Sequence, residues 1–304
     1  MTSVTSLAQQ SVLNTSRMKV WEPVFWLLAL ASPWLAQQHA LIINEIAIVA
    51  LFAVSLDLVL GYTGIVSLGH AAFLGFGAYA AALFAKWVMP DPLVGLLVGT
   101  LAATLLGALC STTILRGSDL TRLMVTLGMA LILYELANKL DGLTGGSDGL
   151  QGVVMGPVLG RFEFDLMGQT AATYSLAVLF VLFLAVRYWV HSPLGATVKA
   201  IRDNRLRALA IGINANAKIA LVYTVAAALA GAAGALMAQT TGFASLDIFA
   251  LDRSADVMLM LVIGGVGWLY GGLLGAVAFK LMHDVISGIT PQYWTFWIGL
   301  FLVV

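Results

Sequence analysis

The chain predicts an all-α polytopic membrane protein with about eight to ten transmembrane helices. Three observations lead there. Of its 304 residues, 61% are hydrophobic and 10% are charged, with a mean hydropathy of +0.96; a soluble domain carries about 25% charged residues. Apolar runs of helix length alternate with short polar breaks, unlike the ten-residue alternation of a membrane β-barrel. The charges are confined to a few connecting segments, so a formal net charge of zero says nothing about partners.

Residues 1–23 read as a polar N-terminal segment and 24–304 as a single transmembrane domain. Arg17 and Lys19 precede the apolar run 24–36, and Ala29-Leu30-Ala31 offers a cleavage tripeptide. Glu22 and Pro23 interrupt the approach to the apolar core, so an uncleaved first span is expected. Spans follow near 24–41, 44–61, 68–88, 93–115, 122–138, 171–190 and 217–238, with about three more segments between 254 and the end. Several runs are short or contain glycine, which predicts broken or tilted helices. Gly264, Gly265, Gly267, Gly271, Gly272 and Gly275 admit two readings: one long glycine-packed span, or a tight re-entrant turn between two shorter ones. The sequence stops inside the apolar run Leu302-Val303-Val304, and a polar flank beyond it is expected.

The basic residues assign sides. Arg17 and Lys19 put the N-terminus inside. The 37–45 turn lacks Lys and Arg, the 116–122 turn has Arg116 and Arg122, and the 139–170 loop is acidic. The 187–218 segment holds six of the fifteen Lys and Arg against one acid, Asp203, and is placed inside. The 239–256 segment, with Arg253 against Asp247, Asp252 and Asp256, is placed outside.

No chemistry-bearing motif suggests an enzyme. There is no Gly-Lys pair for a P-loop and no His-Glu-x-x-His. His39, His70, His191 and His283 are dispersed without metal-ligand spacing. The single Cys110 excludes an intrachain disulfide. No catalytic, cofactor or metal residue is assigned, and nucleic acid is not an expected partner. Three ionisable residues fall in apolar runs, namely Asp57, Glu135 and Lys280. Each marks a polar path or proton relay, or else a helix-packing contact or a helix end near water. Glycines spaced by four, such as Gly95 and Gly99 or Gly267, Gly271 and Gly275, read first as close helix packing. The break Gly61-Tyr-Thr-Gly64-Ile-Val-Ser67-Leu-Gly69-His70 exposes backbone groups. At membrane depth these must be buried in protein or line an aqueous cavity. The 143–150 segment reads as a flexible connector.

After the stop-and-turn Ser192-Pro193-Leu194-Gly195, residues 196–211 read as one short amphipathic helix. Ala200, Ile201, Leu206, Ala208, Leu209 and Ala210 form its apolar side, Lys199, Arg202, Arg205 and Arg207 its basic side, and Gly212 its stop. Such a helix suits an anionic lipid surface or a groove on a partner protein.

The segment Gly61-Tyr-Thr-Gly-Ile-Val-Ser-Leu-Gly-His-Ala-Ala-Phe-Leu-Gly-Phe-Gly-Ala-Tyr79 resembles the N-terminal signature of the branched-chain amino acid ABC transporter permeases. Thr144-Gly-Gly-Ser-Asp-Gly149 resembles their periplasmic loop. Ser192-Pro-Leu-Gly-Ala-Thr-Val-Lys-Ala-Ile-Arg-Asp-Asn204, continuing to Ala210-Ile-Gly-Ile-Asn214, resembles their cytoplasmic coupling segment. Ala227-Ala-Leu-Ala-Gly-Ala-Ala-Gly-Ala-Leu236 and Ile263-Gly-Gly-Val-Gly267 match as well. The resemblance runs in order over about residues 40–304 and is closer to the LivM-like than to the LivH-like branch.

This resemblance implies a type II-like importer permease of the bacterial inner membrane, its N-terminus cytoplasmic. It implies leucine, isoleucine and valine as cargo, with urea, short amides or aromatic acids as the alternatives within the family. The implied partners are a LivH-like second permease, two cytoplasmic ATPase subunits, a periplasmic binding protein and membrane lipid. The coupling segment 191–216 would carry the ATPase contact through Gly195, Lys199, Ile201, Arg202, Asp203, Asn204, Arg205 and Gly212. Gly61, Gly64, Ser67, Gly69, His70, Asp57 and Glu135 would border the path. Gly267-Trp-Leu-Tyr-Gly271 departs from the family in its bulky aromatics. An ion- or proton-coupled carrier using Asp57 and Glu135 is the competing class.

Overall fold

The structure, a computed structural model, describes residues 19, 21–114, 119–289, 291 and 293–303. Arg116 and, with Arg17, residues 1–18 and 20 of the polar N-terminal segment lie outside the described residues. Among the described residues there is no strand, only two isolated bridges. The chain folds as α1 (Trp21–Leu35), α2 (Ala40–Thr63), α3 (Ala71–Trp87), α4 (Pro92–Ile114), α5 (Asp119–Lys139) and α6 (Gln169–Val190). It continues with the short α7 (Pro193–Asp203) and α8 (Arg205–Ala210), then α9 (Ala215–Thr241), α10 (Leu251–Gly264), α11 (Leu269–Ile289) and α12 (Trp294–Val303). The all-α class is as expected. Among the described residues six helices are long and apolar enough to cross a bilayer, with Ala71–Trp87 a shorter apolar one. The larger expected number is approached only by counting α1, α10 and α12, of 15, 14 and 10 residues, short of the roughly 20 that a crossing needs.

Helix α2 forms the centre and is buried from Ala47 to Thr63 on nearly every side. Helices α6, α9, α10 and α11 pack around it. A polar bond network ties its first turns to two of them: Ser175 Oγ donates to Asn44 Oδ1 at 2.6 Å, and Asn44 Nδ2 donates to Thr240 Oγ1 at 3.1 Å. Helices α3, α4 and α9 pack tightly on one another through small residues. A Cβ on Gly77 would come within 2.4 Å of the Gly231 Cα, so the two backbones touch. The α4 sequence explains its place at the rim. Gly95, Gly99, Ala103 and Gly107 are buried, while Leu97, Leu101, Leu105 and Leu109 are exposed. Both sets recur every four residues, so small residues face protein and leucines face outward.

The α10–α11 glycines settle on the second of the two readings, since residues 265–268 turn between two packed helices. Gly264, Gly271 and Gly275 bring their backbones together there, with Gly275 lying against the Met260 carbonyl. The aromatics at Trp268 and Tyr270 clamp α1. Tyr270 lies 4.6 Å from Trp21 and 5.8 Å from Phe25, ring centre to ring centre. Beneath them Arg187 and Glu22 form a buried ion pair at 2.8 Å, and the Tyr270 hydroxyl donates to the same carboxylate at 3.0 Å.

Two ends of the bundle differ in charge. The basic end carries α7, α8 and the 265–268 turn. At the opposite end the loop 139–170 meets the 242–250 segment, where Leu150 and Ala244 exchange backbone hydrogen bonds of 2.8 and 3.2 Å. Asp165 accepts from the backbone N–H groups of Gln169 and Thr170, fastening the first turn of α6. Its small burial opposes the charge, but these donors outweigh it and hold the carboxyl below the usual aspartate range.

Candidate functional site

The site assembles at the basic end, where the last turns of α2 meet α7 and the 265–268 turn. The last carbonyls of a helix lack intrahelical partners. Gly64 closes α2 in the left-handed region, φ +72°, and leaves the Gly61 carbonyl reachable from outside. Arg202 reaches it: Nη1 donates to Gly61 O at 2.5 Å, while Nη2 holds Asp203 Oδ1 at 3.3 Å. A guanidinium at a helix C-terminus also suits the helix dipole.

One turn earlier, Asp57 Oδ1 accepts from the Gly267 N–H at 2.7 Å. Gly61 makes this contact possible, because a Cβ there would lie 2.2 Å from Asp57 Oδ1 and 2.5 Å from Gly267 N. Asp57 is fully buried, and its Oδ2 has no hydrogen-bond partner among the described residues. Lys199 stands 5.2 Å from the centre of the Tyr62 ring, a cation–π distance. Burial, with the Arg202 charge beside it, lowers the Lys199 pKa from its ordinary value.

Helix α7 is held beneath α2 by Val198 and Ile201, both buried. Gly195 lets it double back on α6, since a Cβ would meet the Val190 carbonyl at 2.1 Å. The amphipathic segment is two helices, not one. Asn204 is extended at φ −158°, ψ 98°, and its side chain caps α8 by accepting from Arg207 N. The cap competes successfully with helix continuation because Asn favours that role over a helix interior. The break also changes which residues face out. Arg205 Nη2 donates to Asn216 Oδ1 at 2.7 Å, so three of the four expected basic residues bind their own chain. Leu206, Leu209 and Ile211, 80%, 50% and 71% exposed, form an uncovered apolar patch beside exposed Arg207. Leu206 and Leu209 belong to the apolar side that the sequence offered to a lipid surface or a partner groove, and both stand exposed, whereas Ile201 and Ala208 of that side are buried in the chain itself. Gly212, φ +85°, ends the segment as expected.

The rest of the 61–70 break is packed in protein. Ile65, Ser67 and His70 are buried. Gly69 lies against the Thr126 carbonyl, and Ser67 Oγ is 3.5 Å from the Tyr223 hydroxyl. His70 Nε2 meets Ser55 Oγ at 2.9 Å, and its ring stacks on Phe52 at 5.5 Å. Ser254 of α10 accepts the Ala71 N–H at 3.0 Å, supplying the cap that α3 lacks. Glu135 does not join this group. It is exposed on α5, which packs on α3, α4 and the 246–249 turn. Lys280 pairs instead with Glu45. Sequence reasoning did not identify Tyr62, Gly267, Glu22 or Arg187 as structural partners; the ionisable-residue rule applied to Asp57 would also have flagged Glu22, which borders the first apolar run.

A cavity of about 910 Å³ lies between α4 and α6 near the opposite end and is lined mostly by apolar side chains such as Leu97 and Val181. Among the described residues no Asp, Glu, Lys, Arg or His lines it, and none of its lining residues belongs to the junction, so size alone does not make it the site.

Fold and site define a multi-pass helical membrane protein whose exposed basic-end segment is bonded directly to its central helix. The chain belongs to the family described as branched-chain amino acid transport system / permease component, whose model matches residues 39–304. It is 24% identical over 295 residues to the high-affinity branched-chain amino acid transport system permease protein LivM of Escherichia coli K12, covering 90% of this chain and 69% of that one. Against LivM of Salmonella typhimurium LT2 the identity is 26% over 301 residues, with the same coverage. The LivH permease protein of E. coli K12 is 25% identical over 256 residues, 78% of this chain and 81% of that one. No solved structure matches the chain.

Proposed function

We propose that this chain is a transmembrane permease subunit of an ATP-driven importer for branched-chain amino acids in the bacterial inner membrane. The family and its LivM and LivH relatives support the substrate class. The observation that carries the mechanism is the junction of Arg202 with Gly61, next to that of Asp57 with Gly267. Helix α8 offers a separate ATPase subunit an apolar patch with Arg207 at its edge. Force on α8 passes through Asn204 to α7, and Arg202 delivers it to the end of α2. The 61–70 break then opens beside the path, with Ser67, Gly69 and His70 at its border.

The basic end is cytoplasmic in this reading, following the positive-inside rule. The opposite end, with its pinned 139–170 loop, receives cargo from a periplasmic binding protein. A second, LivH-like permease completes the pore. The carrier alternative lacks convergent charges: Asp57 is bonded to Gly267, Lys280 to Glu45, and Glu135 stands exposed on α5.

Co-purification with the ATPase subunit tests the reading. Leu206→Asp with Leu209→Asp abolishes co-purification while the protein still inserts. Retention of the ATPase by that variant contradicts the docking surface.

A further inference from the structure

A second cavity, about 120 Å³, opens among α2, α9, α10 and α11 toward the acidic end. Its chemistry is graded along two helices. On α10, Arg253, Asp256, Val257 and Met260 line it at i, i+3, i+4 and i+7, one helix face. On α2, Asn44 and Glu45 give way to Ile48, Val49 and Phe52 in the same way. Both helices begin near the acidic end, so charges of both signs crowd the mouth and apolar side chains form the floor. Lys280 of α11 completes the charged ring and pairs with Glu45.

Resting on the importer reading above, we propose that this cavity is a transient binding site for a zwitterionic α-amino acid with an aliphatic side chain. The α-carboxylate lies toward Lys280 and Arg253, the α-ammonium toward Asp256 and Glu45, and the side chain on Ile48, Val49 and Met260. The groups present can exchange partners for the ligand. Arg253 is held by exposed Asp247 at 3.2 Å, a pair weakened by solvent. Asp256, half-buried at the mouth, makes no hydrogen bond among the described residues. Asn44 is buried, yet among the described residues only one of its amide hydrogens is committed, to Thr240. A charged side chain would place an unpaired charge on the apolar floor, which is unfavourable, so the site selects neutral cargo. The floor also adjoins the junction's route, because Phe52 stacks on His70 of the 61–70 break.

The test uses the full chain carrying Cys110→Ala and Val49→Cys in lipid nanodiscs. A small water-soluble methanethiosulfonate labels the new thiol, and millimolar L-leucine slows labelling. Two analogues that keep the isobutyl group but carry one charge, 4-methylpentanoate and 3-methylbutylamine, do not. Asp256→Asn and Lys280→Met each weaken the L-leucine protection by about tenfold, the usual effect of losing one charge-assisted contact. Equal protection by either analogue overturns the proposal, as does protection unaffected by both variants, absence of protection, or a thiol that never reacts. ATP-driven uptake by the assembly of this chain with its partner subunits is read separately. Failure of uptake with zwitterion-selective protection intact overturns the importer reading instead.

Discussion

Arg202 Nη1 and the Gly61 carbonyl oxygen meet at 2.5 Å across 141 positions of sequence. The bond joins a half-exposed guanidinium on α7 to the last turn of the most buried helix. Arg202→Gln keeps a donor but loses the charge and the reach of the fork. The expected result is intact assembly and ATP hydrolysis with leucine uptake at least several-fold lower, since charge-assisted bonds contribute about 1.5–3 kcal/mol when shielded and less at this exposure. Uptake and hydrolysis measured on the same proteoliposomes check it.

Gly61→Ala has a different outcome. The added methyl collides with the Gly267 backbone, which cannot give way cheaply, and with Asp57 Oδ1, a side-chain end pinned by its bond from the Gly267 N–H. A cost of about 1–3 kcal/mol or more is expected, visible as a lower unfolding temperature in detergent. Gly128→Ala, also inside a helix but with nothing within 4 Å of the new atom, is the control and does not lower the midpoint, since Ala favours a helix interior over Gly.

The Glu22–Arg187 pair is buried on both sides, with side chains 6% and 10% exposed. Removing one partner strands a charge, so Arg187→Met destabilises by about 3–5 kcal/mol. Tyr270→Phe removes one hydrogen bond to Glu22 and costs about 1 kcal/mol. Thermal unfolding of both variants ranks them, and the reverse order contradicts the assignment.

Asp165 gives a pH signature. Its pKa is depressed in the folded loop, so the stabilisation is present above the unfolded aspartate pKa and is lost as pH falls through the folded value. Hydrogen exchange at the amides of Gln169 and Thr170, corrected for the intrinsic pH dependence, shows less protection in acid. Asp165→Asn flattens that dependence.

Much of the fold was legible because membrane helices advertise themselves. The run 93–115 appears as Pro92–Ile114, and 171–190 as Gln169–Val190, since each is apolar throughout and bounded by turn residues. Gly95 and Gly99 proved to be packing positions, as spacing by four implies. The kink at Asn204 was hidden, because the apolar and basic periodicity continues across it. Its signal was the residue itself, an Asn three before a backbone donor it can cap. The bond from Asp57 to Gly267 spans 210 positions and left no local trace. The environment of Glu135 was equally illegible, since periodicity on α5 does not say which face meets protein.

The central claim is that movement of this permease is driven by ATP through a separate subunit bound at α8. Leucine uptake into proteoliposomes, with ATP clamped and a protonophore present, tests it most directly. The account predicts that uptake by the complete assembly persists, and that this chain alone accumulates none. Accumulation by this chain alone under an ion gradient, abolished by the protonophore, would contradict it.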